Sequence, residues 1–108
     1  MINPTKKLRR RLIKSFMDVL ILAELRKNSM SGYDVIGLIH KKHGILMSSG
    51  TVYNLLYSLE REGLIQGVQN SRKRVYALTD KGEQNIKVIT KTNGEIQRFL
   101  RNMLLLKS

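Results

Sequence analysis

Short polar side chains line one face of a predicted helix near the middle of the chain. Residues 48–62 predict an amphipathic helix, because apolar residues recur there every three or four positions: Val52, Leu55, Leu56 and Leu59. At about 100° per residue, the opposite face and its flanks carry small, hydroxyl, amide, aromatic and basic groups: Gly50, Thr51, Tyr53, Asn54, Tyr57, Ser58 and Arg61. A solvated face would carry more Lys and Glu, whereas short hydrogen-bonding side chains suit the base edges in a DNA groove. Taken alone, the pattern also fits a surface helix with two amphipathic tyrosines beside the core.

A basic hairpin is predicted directly after this helix. Residues 64–69 and 74–78 are rich in Val, Ile, Leu and Tyr, and the segment between them, Asn70 to Lys73, begins with turn-forming residues. The consecutive cations Arg72, Lys73 and Arg74 would repel one another in the free protein, and a phosphate backbone would relieve that repulsion. A turn that only increases solubility is the alternative. The order of the two elements is typical of a DNA-recognition helix followed by a wing.

The elements that would position these residues precede the recognition helix. Residues 16–25 are almost entirely apolar, which predicts a central helix buried on most sides. Ser31 is the expected N-cap of a second helix, which would end near Gly44 and form the first helix of a helix-turn-helix. Ser48 or Ser49 would cap the recognition helix, whose N-terminal N–H groups then favour a phosphate.

Two glycines lie inside the second predicted helix. Gly32 and Gly37 each cost about 1 kcal/mol relative to Ala in a helix interior. We therefore expect another backbone, of protein or of DNA, to approach the helix at these positions, with protein packing as the main cause.

The C-terminal segment carries an apolar seam with alternating steps of three and four residues: Ile86, Ile89, Asn93, Ile96, Leu100 and Met103. We expect one long helix after its predicted N-cap, Asp80, and pairing of that helix with a second copy. Asn93, at an otherwise apolar position, would fix the register of two helices. The alternative is a helix that folds back against residues 16–25 of its own domain.

The charge of the chain favours a polyanionic partner. Its 108 residues include 20 Lys and Arg against 8 Asp and Glu, for a net charge of +12. Before Ser15 there are cations but no acidic residue: Lys6, Lys7, Arg9, Arg10, Arg11 and Lys14. We expect this arm to contact DNA; a solvated tail and an anionic membrane surface are the alternatives.

The length predicts one domain with extensions: a basic arm over 1–14, a winged-helix domain over 15–79 and a coiled-coil-like dimerisation helix over 80–108. The expected fold is mainly α with a small β-hairpin. No apolar run reaches the roughly 18 residues of a membrane span, and no signal-peptide arrangement follows the N-terminal cations, so we expect a cytoplasmic, nucleoid-associated protein.

Catalysis and metal binding find no support in the residue types. The chain has no cysteine, no paired carboxylate motif and no phosphate-binding glycine signature. His40 and His43 are three residues apart but have no third ligand nearby, so we expect them to cap the helix or face solvent. We therefore expect neither an enzyme nor a metal or cofactor.

Four short segments follow one another along residues 16–82: Ser31-Gly32-Tyr33-Asp34-Val35, Ser49-Gly50-Thr51-Val52-Tyr53, Leu59-Glu60-Arg61-Glu62-Gly63-Leu64-Ile65 and Tyr76-Ala77-Leu78-Thr79-Asp80-Lys81-Gly82. In this order and spacing they resemble the PadR family of winged-helix transcriptional regulators. The resemblance implies a dimeric, repressor-like protein whose recognition helices enter major grooves, whose wings touch the flanking backbone and whose C-terminal helix forms the dimer. By that analogy Tyr33, Ser49, Thr51, Tyr53 and the wing cations would contact DNA.

Together with the outer face of the predicted helix, the resemblance defines a set of expected DNA contacts: Tyr33, Ser48, Ser49, Gly50, Thr51, Tyr53, Asn54, Tyr57, Ser58, Arg72, Lys73 and Arg74. We expect a sequence-specific homodimeric repressor that reads a palindromic site in double-stranded DNA. An architectural DNA-binding protein with little sequence preference is the alternative. Residues suited to base edges argue against it, and the excess positive charge argues against a winged helix that binds only proteins.

The chain departs from the family pattern in three respects: it lacks tryptophan, its single predicted C-terminal helix is short for the family, and it carries a longer basic arm than many relatives. Some family members bind aromatic ligands at the dimer interface. Here that space would be lined by aliphatic side chains together with Met17, Met103, and Phe16 or Phe99. A small apolar effector would be compatible with such a lining, but no motif specifies one.

Overall fold

The computed structural model describes residues 4–105, apart from the side chains of residues 4–6, 9, 104 and 105. The elements, in chain order, are α1 (Pro4–Ser15), α2 (Met17–Lys27), β1 (Met30–Ser31), α3 (Gly32–His43), α4 (Ser49–Arg61), β2 (Ile65–Asn70), β3 (Lys73–Leu78), α5 (Asp80–Lys91) and α6 (Asn93–Leu105). The expected class, mainly helical with a small sheet, is confirmed. Within the described residues, no helix is both long and apolar enough to cross a membrane.

The sheet contains one strand more than the predicted hairpin. Its three antiparallel strands run in the order β1-β3-β2, so β3 lies in the middle. The short strand β1 pairs Met30 with Tyr76 and Ser31 with Val75. Because β1 leads directly into α3, the wing is joined to the helix-turn-helix by backbone hydrogen bonds as well as by the chain.

The core lies between α2, α3, α4 and the sheet. The buried apolar side chains form one cluster: Ile13, Met17, Ile21, Leu22, Leu25, Val35, Ile39, Ile45, Met47, Val52, Leu56, Leu59, Leu64, Ile65, Tyr76 and Ile86. Helix α2 contributes four of them, and Val19, Leu20 and Ala23 pack against the same cluster. This agrees with the prediction of a central helix buried on most sides.

Helix α3 begins and ends at the predicted residues. The Ser31 hydroxyl accepts a hydrogen bond from the Asp34 N–H at 3.1 Å, and the Asp34 carboxylate accepts one from the Ser31 N–H at 3.2 Å. This reciprocal capping box satisfies two N–H groups at the helix start. The helix ends at Gly44, whose φ of 69° is the left-handed conformation that favours glycine.

Helix α5 is capped one residue earlier than predicted, by Thr79 rather than Asp80. The Thr79 hydroxyl accepts a hydrogen bond from the Gly82 N–H at 3.1 Å and donates one to the Gly63 carbonyl at 2.6 Å. A hydroxyl can do both, whereas an ionised Asp only accepts. The cap therefore also ties α5 to the turn that precedes the wing.

The single long C-terminal helix that we predicted is divided at Thr92 into α5 and α6. The Thr90 hydroxyl donates to the Ile86 carbonyl at 2.8 Å, and the Thr92 hydroxyl approaches the carbonyls of Val88 at 3.1 Å and Ile89 at 3.0 Å. Hydroxyl groups that bond to carbonyls of the preceding turn bend helices, which accounts for the division. Residues 106–108 of the predicted segment lie outside the described residues.

The predicted seam belongs partly to the domain's own core. Ile86 is buried in the cluster, which leaves little of it for a dimer surface; Ile89 is half-buried and packs against the cluster, and its place in a dimer stays a prediction. An ion pair also joins α2 to α5, because Arg26 Nε of α2 lies 2.6 Å from Glu83 Oε1 of α5. Helix α5 therefore folds back on α2, which was the alternative interpretation of this segment.

The predicted N-terminal arm is helical from Pro4 to Ser15, and residues 1–3 lie outside the described residues. Ile13 is buried in the core cluster, whereas Leu8 and Leu12 are exposed. The basic residues of α1 whose side chains are described are exposed: Lys7, Arg10, Arg11 and Lys14. The arm is thus a helix attached to the domain, with both basic and apolar groups on its surface.

Candidate nucleic-acid interface

The N-terminus of α4 is capped by Ser48. Its hydroxyl accepts a hydrogen bond from the Thr51 N–H at 3.2 Å and donates to the Thr51 hydroxyl oxygen at 2.8 Å. Ser48, Ser49, Gly50 and Thr51 are all exposed, so the first turn is open to a partner. The unpaired N–H groups and positive end of the helix dipole at such a terminus favour an anion.

The two faces of α4 differ as the spacing predicted. Val52, Leu56 and Leu59 are buried against the core. On the opposite side Asn54 and Tyr57 are exposed, in line with Gly50. The exposed face offers amide, hydroxyl and phenol groups on a rigid helix, which is an arrangement able to make hydrogen bonds in a groove.

Tyr53 and Ser58 are half-buried and lie at the flanks of this face. The Tyr53 ring packs against Gly32, where an added Cβ would lie 2.6 Å from ring atoms Cε1 and Cζ. The close approach expected at Gly32 therefore exists, but an aromatic side chain makes it. At Gly37 nothing in the part of the chain that the structure describes lies within 4 Å of the position of a Cβ, so the expected protein packing is absent there, and approach by a DNA backbone stays a prediction.

Tyr33 follows Gly32 and is therefore next to the contact between α3 and α4. Tyr33 is 78% exposed, the highest fraction among the large hydrophobic residues that the structure describes. A phenol with so little packing is free to reach a partner. The structure thus brings Tyr33 to the edge of the α4 surface, although Tyr33 lies well before α4 in the chain.

The wing turn is tighter than the sequence suggested. Strands β2 and β3 pair up to Asn70 and Lys73, which leaves only Ser71 and Arg72 in the loop. Ser71 has a φ of 59°, as two-residue hairpin loops require. Of the three predicted loop cations, only Arg72 lies in the turn.

Arg74 does not lie in an open loop. Its Nη2 is 2.8 Å from Glu60 Oε2, and its guanidinium lies 5.8 Å from the centre of the Tyr76 ring. The hydrogen bond to Glu60 raises the pKa of Arg74. Burial raises the pKa of the Tyr76 phenol above its usual range. Arg74 therefore differs from Arg72 and Lys73: its charge is paired with Glu60, whereas Arg72 and Lys73 form no ion pair in the described part of the chain.

Glu60 and Gly67 are the functional candidates that sequence reasoning missed. Both belong to segments whose overall pattern was recognised. The Glu60 carboxylate, however, accepts hydrogen bonds from the Gly67 N–H, 7 positions away, and from Arg74, 14 positions away, and neither pairing follows from a local pattern. A Gly in the middle of a wing strand was the available signal, because glycine in a strand marks close approach by another group.

A second exposed surface is apolar and lies on α5 and α6. Val88, Phe99 and Met103 are exposed there, and Ile96 and Leu100 are half-buried. Asn93, the predicted register residue, is exposed on the same pair of helices. Large exposed apolar groups in one region indicate an interaction surface.

A shallow cavity of about 220 Å³ lies along α6, lined by Gly94, Gln97, Arg98 and Arg101. None of these four residues is one of the aliphatic or aromatic residues suggested as the lining for an apolar effector. Among the described residues, no group of three or more His, Cys, Asp or Glu side chains is arranged to hold a metal ion.

Comparisons with known proteins agree with this geometry. A PadR-like transcriptional regulator from Bacillus cereus superposes with a TM-score of 0.75 at 24% identity, covering 90% of this chain and 99% of the other. A PadR family transcription regulator from Clostridium difficile gives a TM-score of 0.70 at 24% identity, covering 83% and 98%. Bacillus subtilis PadR in complex with operator DNA gives 0.60 at 30% identity, covering 68% and 46%.

A search of curated proteins found no match to the chain. The family model for the transcriptional regulator PadR-like family matches residues 21–88, which include α3, α4 and the whole wing. Because this match covers well over half of the chain, the protein belongs to the PadR-like family of transcriptional regulators.

Proposed function

We propose that the protein is a homodimeric, sequence-specific DNA-binding repressor. Helix α4 enters the major groove with Thr51, Asn54 and Tyr57 toward the bases, and the wing lies along the flanking backbone. The observation that carries this proposal is the exposed face of α4, where amide, hydroxyl and phenol groups lie opposite a fully buried side. The structural similarity to a PadR protein bound to its operator supports the same placement.

Backbone contacts come from three regions in this proposal. They are Arg72 and Lys73 of the wing, the first turn of α4 and the exposed cations of α1. Such contacts fix the position of a protein on DNA without reading its sequence. The net charge of +12 adds long-range attraction to any duplex.

The dimer forms, in this proposal, through the exposed apolar residues of α5 and α6, with Leu8 and Leu12 of α1 as further candidates. A two-fold dimer would present two α4 helices about 34 Å apart, one turn of DNA, and would therefore bind a palindromic operator. Transcription falls when such a dimer occupies a promoter.

The test is fluorescence-anisotropy binding to two duplexes, one enriched from a random-sequence pool by the wild-type protein and one with the same bases scrambled. Asn54→Ala should weaken binding to the selected duplex about ten- to hundredfold and leave the scrambled duplex nearly unaffected, because an amide contact to a base is lost. Arg72→Ala should weaken both equally and reduce the salt dependence by about one phosphate contact per protomer.

Equal affinity of the wild-type protein for both duplexes would contradict sequence-specific binding. It would support the architectural function, which the large positive charge favours. Sedimentation equilibrium in the absence of DNA tests the homodimer separately.

A further inference from the structure

One carboxylate joins the recognition helix to both strands of the wing. Glu60, in the last turn of α4, accepts a hydrogen bond at Oε2 from the Gly67 N–H of β2 at 3.1 Å. The same oxygen accepts a hydrogen bond from Nη2 of Arg74, in β3, at 2.8 Å. The register pairs Ile65 with Leu78 at the base of the wing, so Glu60 holds the hairpin farther toward its tip.

Arg74 is confined on several sides. A Cβ at residue 67 would lie 2.5 Å from Arg74 Nε, so the guanidinium lies across the backbone of Gly67 in space that any larger residue would fill. The Tyr76 ring lies beside the same guanidinium, at 5.8 Å from its centre, and is itself fully buried. Glu60 supplies the counter-charge, with side-chain exposures of 27% for Glu60 and 41% for Arg74.

The contact has two physical consequences. It fixes the angle between the wing and α4, because a single carboxylate bonds to the backbone of one strand and the side chain of the other. It also neutralises one of three neighbouring wing cations, so that a duplex meets Arg72 and Lys73 without Arg74.

We propose that Glu60 is a positioning residue for DNA specificity, which holds the wing at one angle to the recognition helix and withholds Arg74 from phosphate. The inference rests on the proposed DNA-binding function. It assigns to an acidic residue, next to a basic interface, the task of limiting binding to unselected DNA.

The decisive variant is Glu60→Gln. Its amide oxygen can still accept from the Gly67 N–H, but the charge that holds Arg74 is gone. The freed cation should add about one phosphate contact per protomer, so that the dependence of log affinity on log salt for the scrambled duplex steepens by about 0.9 per protomer. The preference for the selected duplex should fall at least about fivefold, because unselected DNA gains contacts while the wing loses its fixed angle.

Glu62→Gln is the matched control. Glu62 is exposed, lies two residues away and forms no ion pair among the described residues, so the variant changes net charge equally without freeing Arg74. It should keep the wild-type preference. The double variant Glu60→Gln with Arg74→Ala should return the salt dependence to the wild-type value, because the freed cation is absent.

A structural readout separates positioning from general loss of stability. The amide proton of Gly67, observed by NMR in the free protein, should shift in Glu60→Gln and keep its wild-type position in Glu62→Gln. Equal salt dependence and equal preference in the two Gln variants would overturn the proposal. The proposal would also be overturned if Glu60→Gln lowered the affinity for both duplexes by the same factor, because a uniform loss indicates only a smaller fraction of folded protein.

The proposed function can fail separately. If the wild-type protein shows no preference between the duplexes, sequence-specific binding is refuted, and the salt dependence of the scrambled duplex still decides whether Glu60 withholds Arg74. A steeper dependence in Glu60→Gln than in Glu62→Gln supports that part, and equal slopes overturn it.

Discussion

Gly82 should be one of the least replaceable residues of the domain. It is the third residue of α5, and an added Cβ would lie 2.0 Å from the Leu64 carbonyl oxygen and 2.7 Å from Leu78 Cδ1. The carbonyl cannot easily move, because it accepts a hydrogen bond from the Thr79 N–H at 3.1 Å. Gly82 cannot easily move either, because its N–H donates a hydrogen bond to the Thr79 hydroxyl that caps the helix. Gly82→Ala must therefore push α5 away from the base of the wing.

The expected cost follows from two opposing effects. Forcing a methyl group into a packed site costs about 1–3 kcal/mol, and a clash with fixed backbone belongs at the upper end. Replacing Gly by Ala in a helix offsets up to about 1 kcal/mol of this. We expect a net loss of about 2–3 kcal/mol, which lowers the melting temperature by roughly 10–20 °C for a domain of this size.

Gly37→Ala is the matched control, because Gly37 is exposed within α3 and nothing lies within 4 Å of its Cβ position. The same methyl group should raise stability there by about 0.4–1 kcal/mol. Both variants should be melted by circular dichroism at one protein concentration, because the proposed dimer would make melting concentration-dependent. A Gly82→Ala protein that melts at or above the wild-type temperature would refute the reasoning.

Two further outcomes are expected. Hydrogen bonds from the Ser31 backbone and side chain lower the pKa of Asp34 below its usual 3.8, so the stability that Asp34 provides is present at neutral pH and lost as pH falls through the folded-state pKa. Urea unfolding should therefore show Asp34→Asn less stable than wild type at about pH 7, with a difference that narrows toward about pH 3. Ile86→Ala should lose about 2–4 kcal/mol of folding stability because it empties a core site, whereas Met103→Glu should convert the proposed dimer to a monomer in sedimentation with little change in the fold. If Ile86→Ala instead sedimented as a monomer and kept its folding stability, Ile86 would belong to the dimer surface and not to the core.

The position of α4 and its two faces could be predicted from the sequence because of the periodicity of its apolar residues. The alternation of Val52, Leu56 and Leu59 with Asn54 and Tyr57 is a local property of one helix, and its buried and exposed sides follow from 3.6 residues per turn. The capping residues Ser31 and Ser48 were predictable for the same reason, because a cap bonds only to N–H groups two or three residues away.

Features that depend on contacts between residues far apart in the chain could not be predicted from the sequence. Strand β1 has two residues and no pattern of its own, and it exists because β3 offers a partner about 45 residues later. The seam at Ile86 looked the same whether its partner was α2 or a second copy, since an apolar repeat specifies burial but not the surface that provides it. The ion pair between Glu60 and Arg74 could not be predicted either, because it depends on the angle at which the hairpin packs against α4.

Strand β1 also sets how much of the wing can move. The sheet has three strands only at Met30 with Tyr76 and Ser31 with Val75, and beyond Val75 the hairpin continues as two strands. A two-stranded ribbon is marginally stable by itself and twists readily. Beyond Val75 the hairpin is held only by its own two strands and by the contact of Arg74 with Glu60, so that only the tip, from Asn70 to Lys73, is free to follow grooves of different width. Amide hydrogen exchange should therefore slow abruptly from Lys73 to Tyr76.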